Sequence, residues 1–281
     1  MWRSSSFPWT YLESLYQGQK SQHLFQDIRT YVMFIGQPRS GTSLIGSLLN
    51  AHQNMCVAQE LNALRYIQRG YGRNQLFWLL LARDKTFAQS GRTWTGYDYA
   101  VPGQWQGKFE KLEIIGDKKA GLSTDQLGRR PGLLEKVLRI AEVPVRIIHI
   151  VRDPYNVITT VHRRRKISLE QSADLYFRRC HTNWQLMQQH ADIIKTLRLE
   201  DLIHAPQQNL QDVCSFLGTA ASQSYLNDGA ALLFGKPRQS KTGSNWPHSL
   251  IQAVSKRVDQ FPFLAGYQYD NDKNRSQPLA A

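Results

Sequence analysis

Residues 31–35 form a short apolar, β-prone run, and after a glycine-flanked turn Leu44, Ile45, Leu48 and Leu49 fall at helical spacing. The pattern predicts strand, loop, helix. Residues 112–115 and 145–151 are further mostly apolar runs, each followed by a charged turn and a helical stretch, as buried parallel strands are. Helical segments are predicted over 62–68 and 75–82, and a Gly- and aromatic-rich stretch, 91–107, reads as a functional loop. Ser168 opens a long helix toward Ile193, 195–199 is another strand, and 206–217 is a helix closed by Gly218. Beyond Gly235 the chain turns rich in Lys, Ser and Gly, regains one helix over 250–258 and ends in a polar tail. This βαβ alternation predicts a single α/β domain over 31–268, with a central parallel sheet flanked by helices. Residues 1–30, with Trp2, Phe7, Trp9, Tyr11 and Tyr16, are expected to form an arm packed on it, and 269–281 the polar tail.

Composition narrows the class. With 281 residues, 41% of them hydrophobic and 20% charged, the chain can bury a real core, which excludes disordered, collagen-like and coiled-coil readings. The apolar run 77–82 is far shorter than the roughly 20 residues of a membrane helix. The first thirty residues hold Arg3 but no apolar segment before a small-residue cleavage site, so no secretory signal is expected and the expected location is the cytoplasm. Cys56, Cys180 and Cys214 fit neither a disulfide framework nor a zinc knuckle and read as buried thiols. A net charge of +13 points to an anionic ligand, surface or polymer.

Two segments offer anion sites. The first, Gly36-Gln-Pro-Arg-Ser-Gly-Thr-Ser43, lies between a predicted strand and helix, where backbone N–H groups and a helix N-terminus can cradle an oxyanion. It keeps the glycine spacing of a Walker A loop but places Thr42 where the phosphate-binding lysine belongs. Arg39, nearby in the loop, can give a phosphate or sulfonate two parallel hydrogen bonds without a metal. The alternative is a plain strand-to-helix turn with a surface arginine, capped by Thr42 or Ser43. Gly41, Ser43 and Gly46 are one residue too widely spaced for the nucleophile elbow of a serine hydrolase. The second segment is Arg152-Asp153-Pro154, with Thr160 and Arg164 on one face of the helix that Pro154 opens. These groups can converge on a terminal phosphate; alternatively Arg152 pairs with Asp153 or another carboxylate, and 163–166 is a solvated basic face.

Taken together, the two segments resemble those of sulfotransferases that use 3′-phosphoadenosine 5′-phosphosulfate (PAPS). Residues 38–44, with Arg39, Ser40, Gly41, Thr42 and Ser43, are similar to the family's 5′-phosphosulfate loop, and Arg152 with Thr160 to its 3′-phosphate motif, where Ser is commoner than Thr. The arginine form of the loop is closest to bacterial and to tyrosylprotein or Golgi-type members. Residues 197–202, Pro206 and 216–218 resemble the family's later strand and helix, with Leu199 where the family usually has Tyr. Lys241, Thr242 and Gly243 resemble its C-terminal basic loop over the 3′-phosphate. The resemblance implies a P-loop-type sulfotransferase fold and sulfuryl transfer from PAPS to an acceptor hydroxyl, releasing adenosine 3′,5′-bisphosphate (PAP), with no metal. It implies Arg39 at the leaving oxygen and Lys118 at the transferring group. The cytosolic members' histidine after that lysine is absent, and the tyrosylprotein branch's spacing puts a catalytic base at Glu60, which reads equally as a first-turn helix acid.

Two other classes compete. A P-loop kinase or NTPase would use ATP and magnesium, with Asp117 as the metal-binding acid, but lacks the Walker lysine. A nucleic-acid-binding module would rest on the net charge and 163–166, without a recognisable binding motif, so no nucleic-acid partner is expected. None of His52, His149, His162, His181 and His204 approaches metal-ligand spacing. Trp94, Tyr97, Tyr99 and Trp105 form a candidate acceptor wall for a sugar, peptide tyrosine, lipid or phenol, or are simply core.

Overall fold

The computed structural model describes residues 7–94, 96–233 and 239–269; Trp2, Arg3 and the tail from Asn271 lie outside them. In chain order the elements are α1 (Phe7–Lys20), β1 (Thr30–Gly36), α2 (Thr42–Asn50), β2 (Met55–Gln59), α3 (Ala63–Gln68) and α4 (Arg73–Gln89). A short hairpin of β3 (Thr93–Trp94) and β4 (Tyr97–Asp98) follows, then β5 (Ile114–Lys118), α5 (Ala120–Arg129), α6 (Leu133–Ala141) and β6 (Val145–Val151). The chain continues through α7 (Pro154–Arg165), α8 (Leu169–Gln189), β7 (Ile194–Arg198), α9 (Leu199–His204), α10 (Pro206–Leu217), α11 (Gln223–Ala231) and α12 (His248–Val258).

Five strands form one sheet in the order β2-β5-β1-β6-β7, with every neighbour parallel. β1 is buried throughout, with Tyr31, Met33 and Ile35 on one face and Val32 and Phe34 on the other. A strand apolar at every position needs cover on both faces. Residues of α3, α4 and α6 supply it on the first face and residues of α2, α10 and α11 on the second. A third cluster joins α7, α8 and α12. From β1 the chain moves out to β2, returns to β5, then crosses to β6 on the far side of β1. The carboxyl ends of β1 and β6 therefore flank the point where the winding reverses, the usual ligand crevice of open α/β sheets.

Several predicted boundaries move, among them the helix over 75–82, which runs from Arg73 to Gln89. Gly116 and Asp117 read as a turn after a strand over 112–115, but both belong to β5, which runs to Lys118. A Cβ on Gly116 would sit 1.9 Å from the Val32 carbonyl oxygen, so glycine there is the condition for β1 and β5 to pair. The strand predicted over 195–199 lies one residue earlier, and Leu199 opens α9. The helix after Ser168 stops at Gln189, well short of Ile193. Its start is a capping box, in which Ser168 Oγ accepts from Gln171 N at 3.1 Å and Gln171 Oε1 from Ser168 N at 3.0 Å.

The N-terminal segment shows no apolar period because its packing face is small rather than apolar. Thr10, Ser14 and Gly18, one per turn, are the inward positions of α1, with Thr10 and Ser14 buried. Gln75 of α4 donates to the Tyr11 carbonyl (3.2 Å) and to Ser14 Oγ (3.1 Å), and Gly18 meets the Asn74 main chain. Trp9 and Tyr16 face outward, 69% and 67% exposed. Cys56, Cys180 and Cys214 are buried, free thiols.

Gly116→Ala should lower stability by about 3 kcal/mol through this overpacking. Urea unfolding measures it, and a midpoint unchanged from wild type would contradict the close approach of the two strands.

Candidate active site

A cavity of about 690 Å³ opens at the carboxyl ends of β1 and β6. The loop from β1 to α2 forms one wall, contributing Arg39, Gly41, Thr42 and Ser43; Arg152, Thr160 and Arg164 come from the end of β6 and from α7. The two anion sites expected from the sequence thus face one space. Arg39 sits in the left-handed backbone region, φ 73°, which non-glycine residues adopt only where their surroundings impose it. One such constraint is direct: Arg152 Nη1 donates to the Arg39 carbonyl oxygen at 3.0 Å. Burial, with Arg164 nearby, draws the Arg39 guanidinium below its ordinary value, and burial does the same to Arg152 against the opposing pull of Glu200 and Asp153. Both remain cations, partly stripped of water, beside a space that admits an anion.

Asp153 gives its carboxylate to the start of α7, accepting from Asn156 N at 3.1 Å, and to Lys241 Nζ at 3.2 Å. Its backbone N–H donates to Glu200 Oε1 at 2.9 Å, and Glu200 Oε2 accepts from Tyr267 at 2.6 Å. This framework settles several expected residues. Lys241 is buried against Asp153 and does not line the cavity, which at this end is lined by Gln239 and Ser240. Thr242 and Gly243 are likewise not among the lining residues; the Thr242 carbonyl accepts from Arg163 instead. Ser40 is fully buried, its Oγ donating to the Gln37 carbonyl at 2.6 Å, so its hydroxyl closes the turn instead of facing the cavity. Arg163, read from sequence only as part of a basic face, does line the cavity.

Ser43 links the cavity to a second cluster. Its Oγ accepts from Lys118 Nζ at 2.8 Å and from Gln59 Nε2 at 3.2 Å. The same Lys118 Nζ reaches Glu60 Oε1 at 2.6 Å, and Lys119 pairs with Glu60 Oε2. Lys118 is 1% exposed at the end of β5, and Glu60 is 21% exposed just beyond β2. Burial would raise the Glu60 carboxyl, but the two ammonium groups outweigh it and hold it below the usual carboxylate range. Burial pulls Lys118 down, with Glu60 opposing. Gly46 makes the arrangement possible, since a Cβ there would lie 2.7 Å from Lys118 Cγ. Its role is not visible in the sequence because only the fold brings α2 across β5. The reading of Glu60 as a first-turn helix acid is corrected: α3 starts at Ala63 behind an Asn62 cap.

Other expectations divide. Asp117 is no candidate for magnesium, because its oxygens accept from Leu61 N at 2.9 Å and Ala63 N at 2.7 Å on the face opposite Lys118. Tyr97 and Tyr99 line the cavity near Arg39, whereas Trp105 borders a separate pocket of about 100 Å³ beside His52, and Trp94 is not among the residues lining either. A buried pair, Arg92 with Asp84 at 3.0 and 3.1 Å, pins the stretch 91–107, with Asn50 Nδ2 donating to the same aspartate at 2.8 Å. Leu199 lines the cavity under Gly41. Among the described residues, no cluster of His, Cys, Asp or Glu could hold a metal, and no helix is long and apolar enough to cross a membrane.

Residues 32–223, which contain both candidate anion-binding segments and the Glu60–Lys118 cluster, match the model of the sulfotransferase family. The chain belongs to that family, and sulfuryl transfer is its class of reaction. Two solved structures agree in fold. The sulfotransferase domain from the curacin biosynthetic pathway matches with a TM-score of 0.52 at 16% identity, covering 84% of this chain and 98% of that one. Sulfotransferase STF9 from Mycobacterium avium gives 0.50 at 11% identity, covering 89% and 82%. The sulfotransferase domain from the Synechococcus PCC 7002 olefin synthase gives 0.48 at 20% identity, covering 91% and 90%. No curated protein matches the chain in sequence.

Lys119→Met should raise the Glu60 carboxyl toward its ordinary value, followed by carbon-13 NMR titration. A carboxyl held low in the folded state contributes stability that is present above the unfolded value, about 4.3, and is lost as pH falls through the folded value. Wild type should therefore exceed the variant in stability near neutrality, and the two should converge on acidification. An unmoved Glu60 titration would contradict the pairing.

Proposed function

We propose that the protein transfers the sulfuryl group of PAPS to an acceptor hydroxyl. The observation that carries this reading is the meeting of the Arg39 loop and the Arg152–Thr160–Arg164 face in one cavity of about 690 Å³, within the range of small-molecule sites. In this reading the loop amides and Arg39 hold the 5′-phosphosulfate, and Arg152, Thr160 and Arg164 hold the 3′-phosphate. Arg163 adds a cation at the mouth, where the resemblance had suggested Lys241.

The chemistry follows from the charges. The acceptor oxygen attacks sulfur in line as the bond from sulfur to the phosphate oxygen breaks. The acceptor proton passes to Glu60, ionised at neutral pH and therefore able to take it. Arg39 meets the negative charge that grows on the departing phosphate, leaving PAP. Lys118, one hydrogen bond behind Ser43, places its charge beside the transferring group while holding Glu60. No step calls for a metal. Tyr97 and Tyr99 supply the aromatic part of the acceptor side, in place of the broader wall of four rings.

Arg39→Ala and Arg152→Ala should each abolish transfer and weaken PAP binding at least tenfold by calorimetry, whereas Glu60→Gln should lower turnover with PAP affinity kept. PAP should raise the melting temperature without metal, and labelled PAPS with a panel of glycans, peptides and phenols identifies the acceptor. Normal PAP affinity in both arginine variants, or stabilisation by ATP and magnesium alone, would refute the reading.

A further inference from the structure

We infer that Asp117 is a positioning residue for Glu60: it fixes the main chain of the turn that carries Glu60, while Lys118, its neighbour on β5, fixes the carboxylate. The inference rests on the reading of Glu60 as the base. Successive residues of a strand point to opposite faces of the sheet. Lys118 accordingly points toward α2 and Ser43, and Asp117 toward α3, where it is 4% exposed. Glu60 lies just past the end of β2, the neighbouring strand, so this pair of adjacent residues holds it from both sides.

The turn from Glu60 to Ala63 needs holding. Glu60 (φ 61°) and Asn62 (φ 65°) both occupy the left-handed region, costly for side chains other than glycine and kept only where surrounding contacts demand it. Asp117 supplies two such contacts. Its Oδ1 accepts from Leu61 N at 2.9 Å and its Oδ2 from Ala63 N at 2.7 Å, so one carboxylate spans the residue between the two amides. The Glu60 backbone N–H donates to the Lys118 carbonyl at 3.3 Å, and Asn62 Oδ1 accepts from Gln126 Nε2 at 2.8 Å. A residue that only capped α3 would serve the helix's own first amides. Leu61 N lies outside the helix, next to Glu60, so half of Asp117's hydrogen bonding acts on the turn itself. Burial pushes the Asp117 carboxyl up to about 6, with the two amides opposing, so at neutral pH it is ionised and can accept at both oxygens.

Asp117→Asn keeps the shape but sets an amide N–H₂ against one of the two backbone donors. Sulfuryl transfer from labelled PAPS, to the panel's acceptor or to water, is measured in wild type, E60Q, D117N and E60Q/D117N, with PAP affinity by calorimetry alongside. D117N should lower kcat at least tenfold, leave the PAP Kd within threefold, and cost nothing further, within twofold, once the Glu60 carboxylate is gone. A D117N loss undiminished in the E60Q background, or a parallel collapse of PAP affinity, overturns the positioning role alone. Wild-type turnover in E60Q removes the base assignment, and the inference with it. Should D117N not fold, the cycle is run in the N62G background, where glycine accepts the left-handed conformation freely. There too a loss that disappears with E60Q supports the positioning role, and one that persists overturns it.

Discussion

The hydrogen bond from the Arg152 guanidinium to the Arg39 carbonyl ties together the ends of two neighbouring parallel strands. It stands where the winding of the sheet reverses, so it sets the distance between two arginines 113 residues apart in the chain, one from each wall of the cavity. Because the donor is a cation and the acceptor belongs to the loop's own cationic residue, the contact also places two positive groups close together, partly out of water. Glu200 and Asp153 offset part of this repulsion at Arg152, and an anion entering the cavity would relieve more of it. The cavity is thereby specified electrostatically before any ligand arrives.

The reacting end is built differently. There the charges compensate within the protein: Glu60 is bracketed by Lys118 and Lys119, and Lys118 is shared with Ser43 of the loop. The carboxylate that would accept a proton and the loop that would hold the donor are thus joined through one buried ammonium. Moving Lys118 disturbs both. The Lys118 stem requires glycine at position 46, as the approach of β1 to β5 requires it at 116.

The parts of the fold legible in the sequence are those where local signals agree. The apolar strands β1 and β6, the helix opened by Pro154 and the glycine-rich loop are readable because strand, turn and helix signals follow one another in a few residues. Both cationic ends of the cavity are readable for the same reason. Gly116 and Asp117 mislead because their composition is that of a turn, whereas the close approach to Val32 needs the glycine and the Leu61 and Ala63 amides occupy the aspartate. Lys241 misleads because a buried partner, Asp153, takes its charge. Trp105 and Trp94 group with Tyr97 and Tyr99 in the sequence, but a loop's side-chain directions are set by what anchors it, here the Arg92–Asp84 pair. Helix α1 is hidden by an inverted pattern, with Thr10, Ser14 and Gly18 inward and Trp9 and Tyr16 outward.

On the proposed function, one bisphosphorylated adenosine bridges the two cationic ends of the cavity. A crystal structure of the protein grown with PAP tests it most directly. The 5′-phosphate should lie on the amides of the loop around Arg39 and the 3′-phosphate within hydrogen-bond reach of Arg152 and Thr160. PAP bound elsewhere, or absent from the cavity at saturating concentration, would contradict it.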